Sequence, residues 1–124
     1  MKFTKSLMLI LLFVSASGKL FAQKQADPAG TWSFHAQDAP YEYSSGDIVI
    51  AKEGTEYTAK IVFGDSYELK GRDVLLEKDQ LTFTVYIDGE PISIKGTVTK
   101  ETIIGKASYT DGTISFEAER KKEE

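Results

Sequence analysis

The chain has 124 residues, with 15 lysines and arginines against 19 aspartates and glutamates, for a formal net charge of −4. That length suits one domain. An acidic chain whose only basic cluster is Arg120-Lys121-Lys122 is a poor candidate for nucleic acid or anionic membrane surfaces. With no cysteine and one histidine, a thiol nucleophile and a His/Cys metal cluster are excluded, and the fold must be held by its core rather than by disulfides.

Lys2 and Lys5 precede an unbroken apolar run, residues 7–14, followed by Ser15, Ala16, Ser17 and Gly18. This is a signal-peptide pattern, too short for a spanning helix. We expect cleavage after Ala22, although a cut after Ser17 or Gly18 also places small residues at the required positions. Residues 1–22 carry three of the 15 basic residues and no acid, so the remainder has 12 basic against 19 acidic residues, or −7. No cysteine follows the signal, so no lipid anchor is expected. The expected location is secreted or periplasmic, with no membrane span after cleavage.

Residues 23–29 read as a flexible polar leader, residues 30–120 as the folded domain and residues 121–124 as a charged tail. Residues 30–36 alternate, with Trp32, Phe34 and Ala36 on one face. Residues 37–46 have a proline, two tyrosines and no period, and form the longest loop. Residues 47–52 set Ile48 and Ile50 against Val49 and Ala51, turned by Glu53-Gly54. Tyr57, Ala59, Ile61 and Phe63 then oppose Thr58, Lys60 and Val62. Tyr67 and Leu69 share a face in a short strand ending at Gly71, and Val74 and Leu76 share one in the next.

Residues 80–99 carry the strongest signal. Leu81, Phe83, Val85 and Ile87 fall on one face, and after Asp88-Gly89 so do Ile92, Ile94, Gly96 and Val98. Two period-two runs around Asp-Gly predict a β-hairpin. Ile103, Gly105, Ala107 and Tyr109 follow, then a turn at Asp111-Gly112, then Ile114, Phe116 and Ala118 opposed by Ser115, Glu117 and Glu119. Eight to nine short strands at regular spacing, with no helix, predict an all-β antiparallel up-and-down barrel, with a two-sheet β-sandwich as the alternative. One face collects Phe, Ile, Leu and Val and the other Thr, Lys, Ser and Glu, in short spans. That pattern describes a wet exterior rather than an outer-membrane barrel.

Few residues suggest chemistry. His35 falls on the face opposite Trp32 and Phe34, where an exposed strand histidine is expected rather than a general base. Glu117 and Glu119 point outward, and Asp88 and Glu90 flank a turn, so neither pair frames a concave site. No catalytic residue, metal site or cofactor is expected. Gly96, Gly105 and Ala107 lie on inward faces of adjacent strands. They either leave room for a ligand or let a small barrel bend around large aromatic side chains.

At Gly30-Thr31-Trp32 the chain resembles the calycin superfamily of lipocalins, fatty-acid-binding proteins and avidins. That resemblance implies that Gly-x-Trp opens the first strand and that a basic residue ending the last strand packs across the indole to close one end. Counting by twos from Ile114 lands on Arg120, which matches in position and face; a cation–π contact is expected there. The C-terminal helix and disulfide of many lipocalins are missing. Avidins line their biotin site with several tryptophans, and this chain has one. The chain also looks like small lipocalin-like domains exported by Bacteroidota.

The expected function is a non-enzymatic lipocalin-like domain that binds a small hydrophobic ligand inside the barrel. Its candidate contacts are Phe34, Tyr41, Tyr43, Tyr57, Phe63, Tyr67, Phe83, Ile94, Tyr109 and Phe116, with Trp32 and Arg120 closing the barrel. The alternative is a filled barrel that acts through its surface on an envelope protein partner. Interior volume separates the two readings.

Overall fold

A tight hairpin needs a turn whose twist matches that of its strands, which calls for positive φ at both central residues. In the computed structural model of the protein, which describes residues 27–64 and 67–122, Asp88 and Gly89 have φ of 53° and 82°. They join β6 (Gln80–Ile87) to β7 (Glu90–Val98) in register, with Phe83 opposite Ile94 and Val85 opposite Ile92. The remaining strands are β1 (Gly30–His35), β2 (Ser45–Glu53), β3 (Glu56–Phe63), β4 (Tyr67–Lys70), β5 (Arg72–Glu77), β8 (Thr102–Tyr109) and β9 (Gly112–Arg120). The expected signal peptide, residues 23–26 of the expected leader and Glu123-Glu124 of the tail lie outside the described residues.

All pairings are antiparallel, and the strand order is β4-β3-β2-β1-β9-β8-β7-β6-β5. Each strand lies beside its sequence neighbour, except that β9 returns to β1 and the chain changes partners between β4 and β5. This is an up-and-down meander rolled into a nearly closed barrel, not a two-sheet sandwich. The roll closes at Gly71. Its N–H donates to the Ala59 carbonyl at 2.8 Å, and a Cβ there would sit 2.7 Å from that oxygen and 3.1 Å from the Phe83 ring. Only glycine lets the chain cross so close to β3 as it leaves β3 for β6. A register shift between Arg72 and Leu75, with Asp73 at φ 55°, turns β5 onto its new partner.

The alternating pattern sorts the faces as expected from a half-buried sheet. Trp32, Phe34, Ile48, Ile50, Ile61, Leu81, Phe83, Val85, Ile94, Val98, Ile103, Phe116 and Ala118 are buried inside one core, and among the described residues no polar or charged one is buried with them. The largest departure from the sequence expectation is in the first loop. There Tyr41–Tyr43 form a single 3-10 turn. It is tied down by bonds from the Tyr43 N–H to the Pro40 carbonyl at 2.8 Å and from the Ala36 N–H to the Ser44 carbonyl at 2.7 Å. Such a short helix has no apolar periodicity to read, which is why the segment looks like plain loop in sequence. Among the described residues, no helix is long and apolar enough to cross a membrane.

Candidate functional site

The barrel has two unlike ends, and the first is sealed. Trp32 is completely buried, and its indole N–H donates to the Pro28 carbonyl at 2.9 Å. Arg120 pairs directly with Trp32 across β1 and β9, and its guanidinium lies 4.2 Å from the indole ring centroid. The same guanidinium donates to the carbonyls of Lys100, Ala29 and Asp27 at 2.9, 2.7 and 2.8 Å. One planar fork thus ties three carbonyls from two chain segments while stacking on an aromatic face, a combination particular to arginine. Residues 27–29, part of the expected leader, are fixed in this cluster, and Pro28 is fully buried. The Asp27 carboxylate takes the Ala29 N–H at 3.0 Å and the Tyr57 hydroxyl at 3.1 Å. The Ala29 amide holds its carboxyl below the ordinary range, with help from Tyr57 and the charges of Lys52 and Arg120.

The opposite end is hollow. Beneath the first loop lies a cavity of about 290 Å³, near the lower limit of about 300 Å³ usual for ligand sites. Phe34, Phe63, Ile94 and Phe116 give it apolar walls. Ala36, Ala39, Pro40 and Tyr43 of the first loop stand over it, and Asp38, Asp88, Glu90 and Tyr109 ring its mouth. Tyr43 belongs to an edge-to-face aromatic group, its ring 5.3 Å from that of Phe63, which in turn lies 5.8 Å from Phe34. Desolvation raises the Tyr43 phenol above its ordinary value, followed by the influence of Tyr67, Asp88 and Glu42. The Glu90 carboxylate accepts the Thr110 N–H at 3.0 Å. Bonds from Thr110 hold its carboxyl below the usual range.

The candidate ligand contacts divide by height in the barrel. Phe34, Tyr43, Phe63, Ile94, Tyr109 and Phe116 line the cavity. Tyr67 stands behind it, its ring 5.9 Å from Phe63. Tyr41 is 93% exposed and points away. Phe83 is buried, below the cavity and against Gly71. Tyr57 is at the sealed end, on Asp27.

The small residues divide in the same way. Ala107 lines the cavity, whereas Gly96 and Gly105 face each other across β7 and β8. A Cβ on Gly105 would collide with the Lys95 carbonyl and the Gly96 Cα, and one on Gly96 would come within 2.7 Å of the Ile103 side chain. These glycines bring two strands close and leave space for Ile103; neither lines the cavity.

The expectation that Asp88 and Glu90 flank a turn away from any concave site is corrected: both line the cavity, with Asp38, which the sequence does not mark as a contact. Counting turns along the sequence would not bring them together; the β1–β2, β6–β7 and β8–β9 connections share an end because β4 runs on into β5 without reversing direction. His35 is exposed on the outer face, opposite Glu117. Among the described residues, no group of three or more His, Asp or Glu side chains is placed to hold a metal ion.

No family model and no curated protein matches the chain. Several solved structures resemble it, two of them as follows. A redesigned β-barrel aligns over 76% of this chain and 91% of its own, with a TM-score of 0.52 at 13% identity. A variant of the fluorescent protein UnaG aligns over 77% of this chain and 97% of its own, with a TM-score of 0.50 at 17% identity. At these identities the likeness is one of fold. It supports an antiparallel β-barrel fold.

Proposed function

We propose that this is an exported, non-enzymatic lipocalin-like protein that carries a small apolar molecule in the hollow half of its barrel. The observation that carries this reading is the cavity of about 290 Å³ beneath the first loop, walled by Phe34, Phe63, Ile94 and Phe116. A well-packed interior leaves few voids larger than a water molecule. A domain of this size that keeps one this large forgoes packing energy there, and occupancy by a ligand would restore it. The signal-like segment at residues 1–22 supports export. The aromatic and aliphatic walls would supply burial, and the polar groups at the mouth would orient whatever is bound.

The test is native mass spectrometry of protein purified gently from its own host, with extraction and identification of what it carries. A recurring apolar mass of a size to fit the cavity is the expected result. Clean apo protein that also fails to take up a neutral apolar fluorophore would reject the reading.

A further inference from the structure

The cavity of the proposed binding module says more than that its ligand is apolar. Its mouth carries three acidic residues, Asp38, Asp88 and Glu90, and none of the described residues lining the cavity is a lysine, arginine or histidine. We infer that the cavity selects apolar molecules with a cationic head, such as alkyl amines or quaternary ammonium compounds, over those ending in a carboxylate. This rests on the binding role proposed above, and it is the cavity, not the acidic groups, that makes the site.

Two observations give the preference its physics. Two of the carboxylates are positioned by the turns that carry them: Glu90 accepts the Thr110 N–H at 3.0 Å, and Asp88 sits in the hairpin turn at φ 53°. The negative field also reaches the inner side of the mouth, since Asp88 and Glu42 are among the causes that raise the Tyr43 phenol. A carboxylate head seated here would meet like charges and find no cation in the lining. A cationic head would meet opposite charges, with the Tyr43 and Tyr109 rings of the lining available to it as well.

The sealed end does not share this single sign. Lys52, Lys78, Lys100, Arg120, Lys121 and Lys122 lie in or beside its turns and strand ends together with Asp27, Glu53, Glu56, Glu77, Asp79 and Glu101. The protein as a whole is acidic, but only at the mouth do the lining charges have one sign.

The experiment uses three probes with one tail: octylamine, octanol and octanoate, each displacing a neutral apolar fluorophore from the protein at low ionic strength. An opposite charge at about 4 Å in a wet setting is worth roughly a fivefold change in binding. Reversing the head group exchanges attraction for repulsion, so octylamine should bind about tenfold or more tighter than octanoate, with octanol between them. In the Asp38→Asn, Asp88→Asn, Glu90→Gln variant the amine and the carboxylate should converge; asparagine tolerates the positive φ at position 88 and glutamine can still accept from Thr110.

Octanol binding with equal or stronger binding of octanoate would overturn the charge inference and leave the binding role standing. A preference for octylamine that survives in the triple variant would place its origin elsewhere and also overturn the inference. Failure of all three probes, together with failure of the fluorophore to bind, would overturn the binding role and the inference with it.

Discussion

Toward the sealed end the inward positions carry Trp32, Leu81, Val98, Ile103 and Ala118, all almost wholly buried, and the segment 27–29 is laced across them by Arg120. Toward the open end the inward positions are just as apolar, with Phe34, Ile94 and Phe116, yet a cavity of about 290 Å³ remains. The strands and their alternation are the same in both halves. What differs is the cover. At one end a full indole fills the axis and a guanidinium binds the neighbouring chain to it. At the other the cover is the first loop, whose Ala36, Ala39 and Pro40 are too small to fill the space below, while Ala107 presents a single methyl from the wall. The lesson is that a small barrel becomes solid or hollow through a few side chains near its rims, not through its strands.

If that contrast is right, damage at the sealed end should cost the most stability. Trp32→Ala should destabilise the domain by about 3–5 kcal/mol, the range for truncating a fully buried large aromatic, measured as a shift in urea midpoint. A loss under about 1 kcal/mol would mean that Trp32 is not the core of this half. Arg120→Ala should cost less, about 2 kcal/mol, since it gives up charge-assisted bonds to partly solvated carbonyls and a cation–π contact. It should also shift the emission of the only tryptophan. Arg120→Lys should recover only part of the loss, because an ammonium cannot span three carbonyls while stacking on the ring. An unchanged melting temperature and spectrum in Arg120→Ala would remove the closure from the account.

A matched pair of enlargements tests solid against hollow directly. Ala118→Leu inserts three carbons where Ala118 is 1% exposed, between Phe34 and Ile103 on the flanking strands. Overpacking of this kind costs about 1–3 kcal/mol. Ala107→Leu inserts the same atoms at the cavity wall, where they should be accommodated at a cost below about 1 kcal/mol or with a gain. The second variant should also weaken uptake of a neutral apolar fluorophore, and the first should not do so specifically. Equal destabilisation by the two substitutions would mean that the interior is uniformly packed.

How much of this could be read from residues alone follows from what a period of two encodes. Alternation reports the face of a strand, and the faces were legible: parity puts Arg120 on the face of Trp32, and the two are cross-strand partners. The Asp88-Gly89 turn was legible because its chemistry is local. Alternation does not report height along the barrel axis, which depends on register and shear. Tyr57, Phe83 and Phe63 therefore look alike in sequence, yet they lie at the sealed end, in the middle and at the cavity. The exchange of partners at Gly71 was also hidden. A glycine between two short apolar runs signals a break, but not that the runs pair with β3 and β6 on opposite sides of the closing seam. Asp38, Asp88 and Glu90 share a rim only once the roll of the sheet is known.

The smallest expected effect compares one carboxylate from each end. Asp27 at the sealed end is depressed mainly by the Ala29 amide, and Glu90 at the open end by its bonds to Thr110. A carboxyl whose folded value lies below its unfolded value adds stability above the unfolded value, and that stability is lost as pH falls through the folded one. Both groups should therefore contribute fully at neutral pH and fade below the ordinary carboxylate range, from about pH 4 downward. The consequences should differ by location. Asp27 sits among the contacts that hold segment 27–29 down, so its protonation should loosen the cover on Trp32 and move tryptophan emission before global unfolding. Protonation of Glu90 should release only the Thr110 turn and leave emission unchanged. An acid titration of the wild type, Asp27→Asn and Glu90→Gln, followed by fluorescence and by far-ultraviolet circular dichroism, separates the two. The early emission change should vanish in Asp27→Asn and persist in Glu90→Gln, and the reverse pattern would place the pH-sensitive contact at the open end.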